Sequence, residues 1–231
     1  MAVILNIETS TDVCSVSLSF DGMILKHLEN FDGQNHATLL SGFIKECLDH
    51  LKEKGVKLEA VAVSMGPGSY TGLRIGLSEA KGLAYALDIP LIGISTLKLL
   101  TVSVMFSGID LPEDIIFVPM IDARRMEVYT AAYDLSLNTL MEPQPLILDE
   151  NSYADLIATG RQLYFFGNGS EKSIPLLQHP NCKFVSNVKP LATDMLALAD
   201  LAYNKSEFLD LAYCTPEYLK DFQATKPKKI F

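Results

Sequence analysis

The 231-residue sequence has no tryptophan, and its four cysteines, Cys14, Cys47, Cys182 and Cys214, stand far apart. No Cys-x-x-Cys pair and no cysteine–histidine spacing of the zinc kind occurs, so neither a disulfide framework nor a structural zinc site is expected. A reducing compartment, the cytoplasm, is the simplest setting. The four histidines, His27, His36, His50 and His179, are equally dispersed. Two histidines four apart would place both imidazoles on one helical face, but the position four after His36 is Leu40. A metallopeptidase is therefore disfavoured and no metal is expected. Basic excess is missing as well: 19 Lys and Arg stand against 28 Asp and Glu, a formal charge of −9 spread over both halves. Autonomous binding of a phosphate backbone is thus disfavoured, and contact with nucleic acid is expected only through a partner. The longest apolar run, Ile89 to Phe106, contains Pro90, Lys98 and several hydroxyl residues, so it reads as strand followed by helix, not as a membrane span. Residues 1–7 lack the length and basic start of a secretory signal.

What is present is the composition of a folded globular protein, 48% hydrophobic with 14 glycines and 11 prolines. Val3 to Ile7 is a strand-like run, and the polar turn Glu8-Thr9-Ser10-Thr11-Asp12 separates it from an alternating stretch, Val13 to Phe20. Asp21-Gly22 supplies the positive φ angles of a tight hairpin into a third strand, Met23 to Leu28. From His36 to Lys54 the apolar residues Leu39, Leu40, Phe43, Ile44, Cys47, Leu48 and Leu51 repeat with a helical period, and Gly55 ends the run. A strand (60–64), a glycine-rich loop (66–69), a helix (71–87) and a strand (91–95) follow. The order then recurs: a strand from 115 to 121, an alternating stretch from 126 to 133, a turn at Asp134 to Asn138 and a third strand from 139 to 148. Beyond them lie helices near 152–158 and 171–177 around a strand at 163–166, and a last helix at 194–204. Aligned with an offset of 114, Ile7 falls on Ile121 and Val16 on Thr130.

A repeated three-strand meander followed by alternating helices and strands predicts an α/β protein with two similar lobes, residues 1–105 and 106–231. This is the layout of the actin-like, sugar-kinase and Hsp70 class (ASKHA, ribonuclease H-like), with a ligand cleft between lobes. The loop Gly66-Pro67-Gly68-Ser69 precedes a helix N-terminus and so could hold an anion, or it could merely shape the junction. No Lys-Ser/Thr pair follows the glycines, so it is not a Walker loop. Thr9, Ser10, Asp12, Gly66, Gly68 and Ser69 are the candidate contacts to a nucleotide or anion. No Gly-x-Ser-x-Gly elbow is present. Arg124 and Arg125 either reach an anion in the cleft or pair with Asp122 and Glu127.

Gly72, Gly76, Ala80 and Ala84 recur every four residues on one side of the second helix, where another backbone could approach closely. Packing against the chain's own sheet is one explanation; a partner protein is the other. The stretch Gly66 to Gly76, together with Ile7-Glu8-Thr9-Ser10-Thr11-Asp12 and Ile121-Asp122-Ala123-Arg124-Arg125, resembles the bacterial TsaB family of glycoprotease-like proteins. Pro216 to Lys220 is similar to that family's closing motif, with lysine where arginine is more usual at 220; Lys226, Lys228 and Lys229 read as a solvated tail. The resemblance implies a non-catalytic subunit that binds a TsaD-like paralogue and works with a TsaE-like ATPase. Together they would transfer a threonylcarbamoyl group to the adenosine beside the anticodon of certain tRNAs. It implies a partner interface on the first two long helices, for which His36, Leu40, Phe43, Cys47, Gly72, Gly76, Ala80 and Ala84 are the candidates, and a homodimer through the same helices when the partner is absent. It also implies that Asp12 stands where TsaD has a functional acid. The rival expectations are a nucleotide-dependent phosphotransferase of the sugar-kinase class, disfavoured because no glycine lies in the first hairpin turn, and the metallopeptidase.

Overall fold

The computed structural model describes residues 2–33 and 35–220; the lysine tail lies outside them. The first half forms β1 (Ile4–Glu8), β2 (Cys14–Phe20), β3 (Met23–Asn30), α1 (His36–Lys54), β4 (Ala60–Gly66), α2 (Tyr70–Leu87) and β5 (Leu91–Ser95). Its sheet has the order β3-β2-β1-β4-β5, antiparallel through the meander and parallel from β1 to β5. Asp21 and Gly22 both take positive φ, as a two-residue hairpin turn requires. The second half contributes α3 (Thr96–Met105), β6 (Ile116–Asp122), β7 (Glu127–Tyr133), β8 (Thr139–Ile147), α4 (Ala154–Ala158), β9 (Leu163–Phe166), β10 (Cys182–Val185) and α5 (Leu196–Asn204). Its sheet order, β10-β9-β6-β7-β8, repeats the first. The second hairpin is shorter by one: Ile7 faces Val16, whereas Ile121 faces Tyr129 and not Thr130.

α1 and α2 cover one face of the first sheet because their apolar stripes match it. Leu40, Ile44, Cys47 and Leu51 from α1, with Leu77, Ala80 and Ala84 from α2, pack on Leu5, Ile7, Val16, Val61 and Val63. On the opposite face, Ile4, Ala62 and Ile92 meet Leu99 of α3 and Met195 and Ala199 near and within α5. The other side of α3, Leu97, Leu100 and Val104, packs on Phe117, Ile121 and Phe166 of the second sheet. One helix is thus shared by both sheets.

Residues 192–204 return to the first sheet and cover part of its far face. Both faces of β2 are covered, since Ser15, Ser17 and Ser19 are buried as well as Val16 and Leu18. The returning chain accounts for this: the Ala192 amide donates to Ser15 Oγ (3.0 Å), Ser17 Oγ donates to the Ala192 carbonyl (2.9 Å), and Asn6 donates to Ser17 and Ser19. The helix expected at 171–177 is a single 3-10 turn, Glu171–Ser173, since Pro175 cannot supply the amide a continuing helix needs. The short strand β10 carries too little pattern to be seen in the sequence.

Candidate functional site

The end of β1 and the start of α2 are wedged together. Ser69 caps α2, its hydroxyl accepting from the Gly72 amide at 3.2 Å, and the Ser69 amide donates to the Ser10 carbonyl at 2.6 Å. A Cβ on Gly68 would lie 2.3 Å from that carbonyl, one on Gly72 2.1 Å from the Thr9 carbonyl, and one on Gly76 2.2 Å from Thr9 Oγ1. Thr9 Oγ1 in turn donates to the Gly72 carbonyl. The glycines of the loop and helix are therefore required by the chain's own turn, which occupies the space above them.

Beneath this turn lies Glu8, fully buried. Its Oε1 accepts from the Ser10 amide at 2.5 Å, while Oε2 and Ser10 Oγ find no partner among the described residues. Burial pushes the Glu8 carboxyl up to about 7, and Glu8 together with burial pushes the neighbouring Cys14 thiol up to about 11, burial being the larger cause. No signal in the sequence marks this. A glutamate next to a polar turn looks solvated, and only the closure of the turn over α2 removes it from water.

Between the sheets lies a cleft of about 1180 Å³. Ser10, Asp12, Gly68 and Ser69 line one wall, and Asp122, Arg124, Arg125 and Glu127 the other. Thr9 and Gly66, expected with them, are set behind the wall: Thr9 is buried under α2, and Gly66 is closed off by the Glu217 carbonyl. Asp12 is half-exposed and pairs with Lys189 at 3.5 Å. Arg124 and Arg125 both take positive φ in the turn between β6 and β7. Among the described residues their guanidinium groups form no ion pair with those acids: Asp122 pairs with Lys172 and accepts from the Arg124 amide at 3.2 Å, and Glu127 pairs with Lys220. Among the described residues no group of three or more His, Cys, Asp and Glu side chains converges as a metal site, and no helix is long and apolar enough to cross a membrane.

The residues expected at the partner surface lie mostly within this chain's own packing. Leu40, Cys47, Ala80 and Ala84 are part of the core under α1 and α2. Gly72 and Gly76 face Thr9, and His36 is buried with its Nε2 3.0 Å from the Val13 carbonyl. Of the eight, Phe43 alone keeps a solvent-facing part. The four-residue repeat of small side chains serves internal packing, because β1 and its turn pass directly over that side of α2. The outward sides of α1 and α2 run next to each other, joined by Ser41 Oγ donating to Glu79 at 2.6 Å. There Gly42 and Gly82 have open space above them.

Two five-stranded mixed sheets of the same order, with a cleft where the first strand of each ends, define an α/β protein of the ASKHA-like class. The family described as "TsaD: tRNA N6-adenosine threonylcarbamoyltransferase" matches residues 30–229. The tRNA threonylcarbamoyladenosine biosynthesis protein TsaB of Escherichia coli (strain K12) is 28% identical over 96% of this chain and 96% of its own length. TsaB of Bacillus subtilis (strain 168) is 32% identical over 64% of this chain and 61% of its own. The structure of YeaZ from Pseudomonas aeruginosa is similar at a TM-score of 0.80, with 28% identity over 95% of this chain and all of that one. The chain belongs to the TsaB family.

Proposed function

We propose that this chain is a non-catalytic subunit that binds and activates a TsaD-like paralogue in the complex, with a TsaE-like ATPase, that transfers a threonylcarbamoyl group to the tRNA adenosine beside the anticodon. Family membership supports the pathway. The observation that carries the non-catalytic role is the filled glycine loop. A phosphotransferase needs loop amides and glycine surfaces open to phosphate, whereas here the Ser69 amide is taken by the Ser10 carbonyl and the glycine faces by Thr9 and Ser10. TsaD would hold substrate and any metal, this chain would need no cofactor of its own, and tRNA would meet it only through the assembly, in the cytoplasm.

The partner surface would lie on the outward sides of α1 and α2, around Ser41, Gly42, Phe43, Ser78 and Gly82. Two adjacent helices whose glycines are uncovered let a partner's helices approach closely. The same surface would form a homodimer when the paralogue is absent. Reconstitution tests this: purified TsaD-like protein, ATPase, threonylcarbamoyl adenylate as donor and tRNA should yield modified adenosine, with release of AMP, only when this chain is added, and the chain should co-elute with the paralogue. Full activity without it, or sugar phosphorylation by the chain alone with ATP, would overturn the assignment.

A further inference from the structure

The segment after α5 crosses the first lobe and by Lys220 reaches the second. Leu209 donates its amide to the Leu91 carbonyl on the edge of β5 (2.8 Å), Lys81 of α2 donates to the Cys214 carbonyl (3.2 Å), and Glu217 donates its amide to the Met65 carbonyl (2.7 Å). β4 is built to receive it. The pairing of β4 with β5 slips between Ser64 and Gly66, which leaves the Met65 carbonyl available. Gly66, with φ +114°, has the Glu217 carbonyl where a side chain would be, 2.8 Å from the point a Cβ would occupy. Next, Arg74 of α2 lies 4.0 Å from the Tyr70 ring centroid and donates from Nε to the Tyr218 hydroxyl at 3.0 Å, while the two tyrosine rings sit 5.2 Å apart. Two residues on, Lys220 Nζ reaches both carboxylate oxygens of Glu127 on β7, at 2.9 and 2.7 Å. Glu217, Tyr218, Leu219 and Lys220 all line the cleft.

We infer that residues 207–220 form a strap, anchored on the first lobe at Met65 and at the Tyr70–Arg74–Tyr218 cluster, whose Lys220–Glu127 pair bolts the second lobe and sets the opening of the cleft. The anchors involve backbone bonds and a ring cluster on one lobe, so they persist when the bolt is released. The bolt is one ion pair between partly exposed groups, the strength of contact that opens and closes readily. Release would uncover the cleft wall without unfolding either sheet.

Amide hydrogen exchange of the full chain tests this, comparing wild type with Lys220→Glu, Glu127→Lys and the double reversal. Each single reversal should speed exchange roughly fivefold, the upper end for a partly exposed pair, at the cleft segments 66–72 and 121–127, while the β1 and β4 core amides stay unchanged. The double reversal should return those segments towards wild type. If a reversal lowers the melting temperature, Lys220→Met, which keeps the aliphatic stem, carries the same expectation. Unchanged cleft exchange in the single variants, or a double reversal no nearer to wild type than the singles, would overturn the bolt.

Discussion

At Glu8 the balance between burial and hydrogen bonding can be read from one carboxyl group. It accepts one short bond from Ser10, too little to offset complete removal from water, so its pKa rises from 4.5 to about 7. Between those two values the folded chain holds a proton that the unfolded chain has released, and stability must therefore fall as pH rises through this window. The displacement corresponds to about 3 kcal/mol. Glu8→Gln keeps the acceptor for the Ser10 amide and abolishes the charge. The variant should match wild type near pH 4, below the unfolded value, and melt at a higher temperature at pH 8. Thermal unfolding at the two pH values measures this, and parallel profiles for variant and wild type would refute it. Asp12, four residues on, shows how little the sequence separates two neighbouring acids. Both residues sit in one polar run, and nothing local distinguishes the carboxylate that pairs with Lys189 at the surface from the one that the fold encloses.

Elements were far more legible than the directions in which they face. Apolar spacing and Gly55 delimit α1, and the glycine loop marks the start of α2, because such signals are local to the chain. Which side of α2 meets β1 depends on residues some sixty positions earlier, so the small-residue repeat was open to two explanations until Thr9 was seen above it. The two kinds of glycine now predict opposite outcomes. Gly72→Ala puts a methyl group against the Thr9 carbonyl backbone and should destabilise the isolated chain by ~1 to 3 kcal/mol. Gly82→Ala lies under open space inside a helix and should stabilise it by ~0.5 to 1 kcal/mol. Denaturant unfolding of both variants checks the pair, and a destabilised Gly82→Ala would mean that this face is not free. Gly82→Trp should melt close to wild type yet lose at least tenfold in affinity for the TsaD-like paralogue, measured by calorimetry. Undiminished binding would remove the outward face of α2 from the partner surface.

At the scale of the whole molecule, the repeat of turns and strands was readable because each half obeys the same short-range rules. The return of the chain was not, since α5 carries no mark of the sheet it will cover. That return decides how the protein holds together. Ile4, Ile92 and Ile94 on the far face of the first sheet are covered by α3, Met195, Ala199 and Ala202, and α3 is itself covered by β6 and its neighbours. A fragment of residues 1–105 keeps α3 but loses Met195, Ala199 and Ala202, so those isoleucines would lose part of their cover, where full exposure costs ~1.5 to 3 kcal/mol for each buried side chain. Even half of the roughly 5 to 9 kcal/mol for three full exposures is a large share of the ~5 to 15 kcal/mol that stabilises an entire domain, and the side of α3 that packs on β6 would be bared as well. The isolated fragment should therefore bind hydrophobic dye and melt without a cooperative transition, while the full chain unfolds in a single step, both followed by calorimetry and dye fluorescence. A cooperative, dye-free fragment 1–105 would show instead that the first sheet is an autonomous domain and that α5 is only laid upon it.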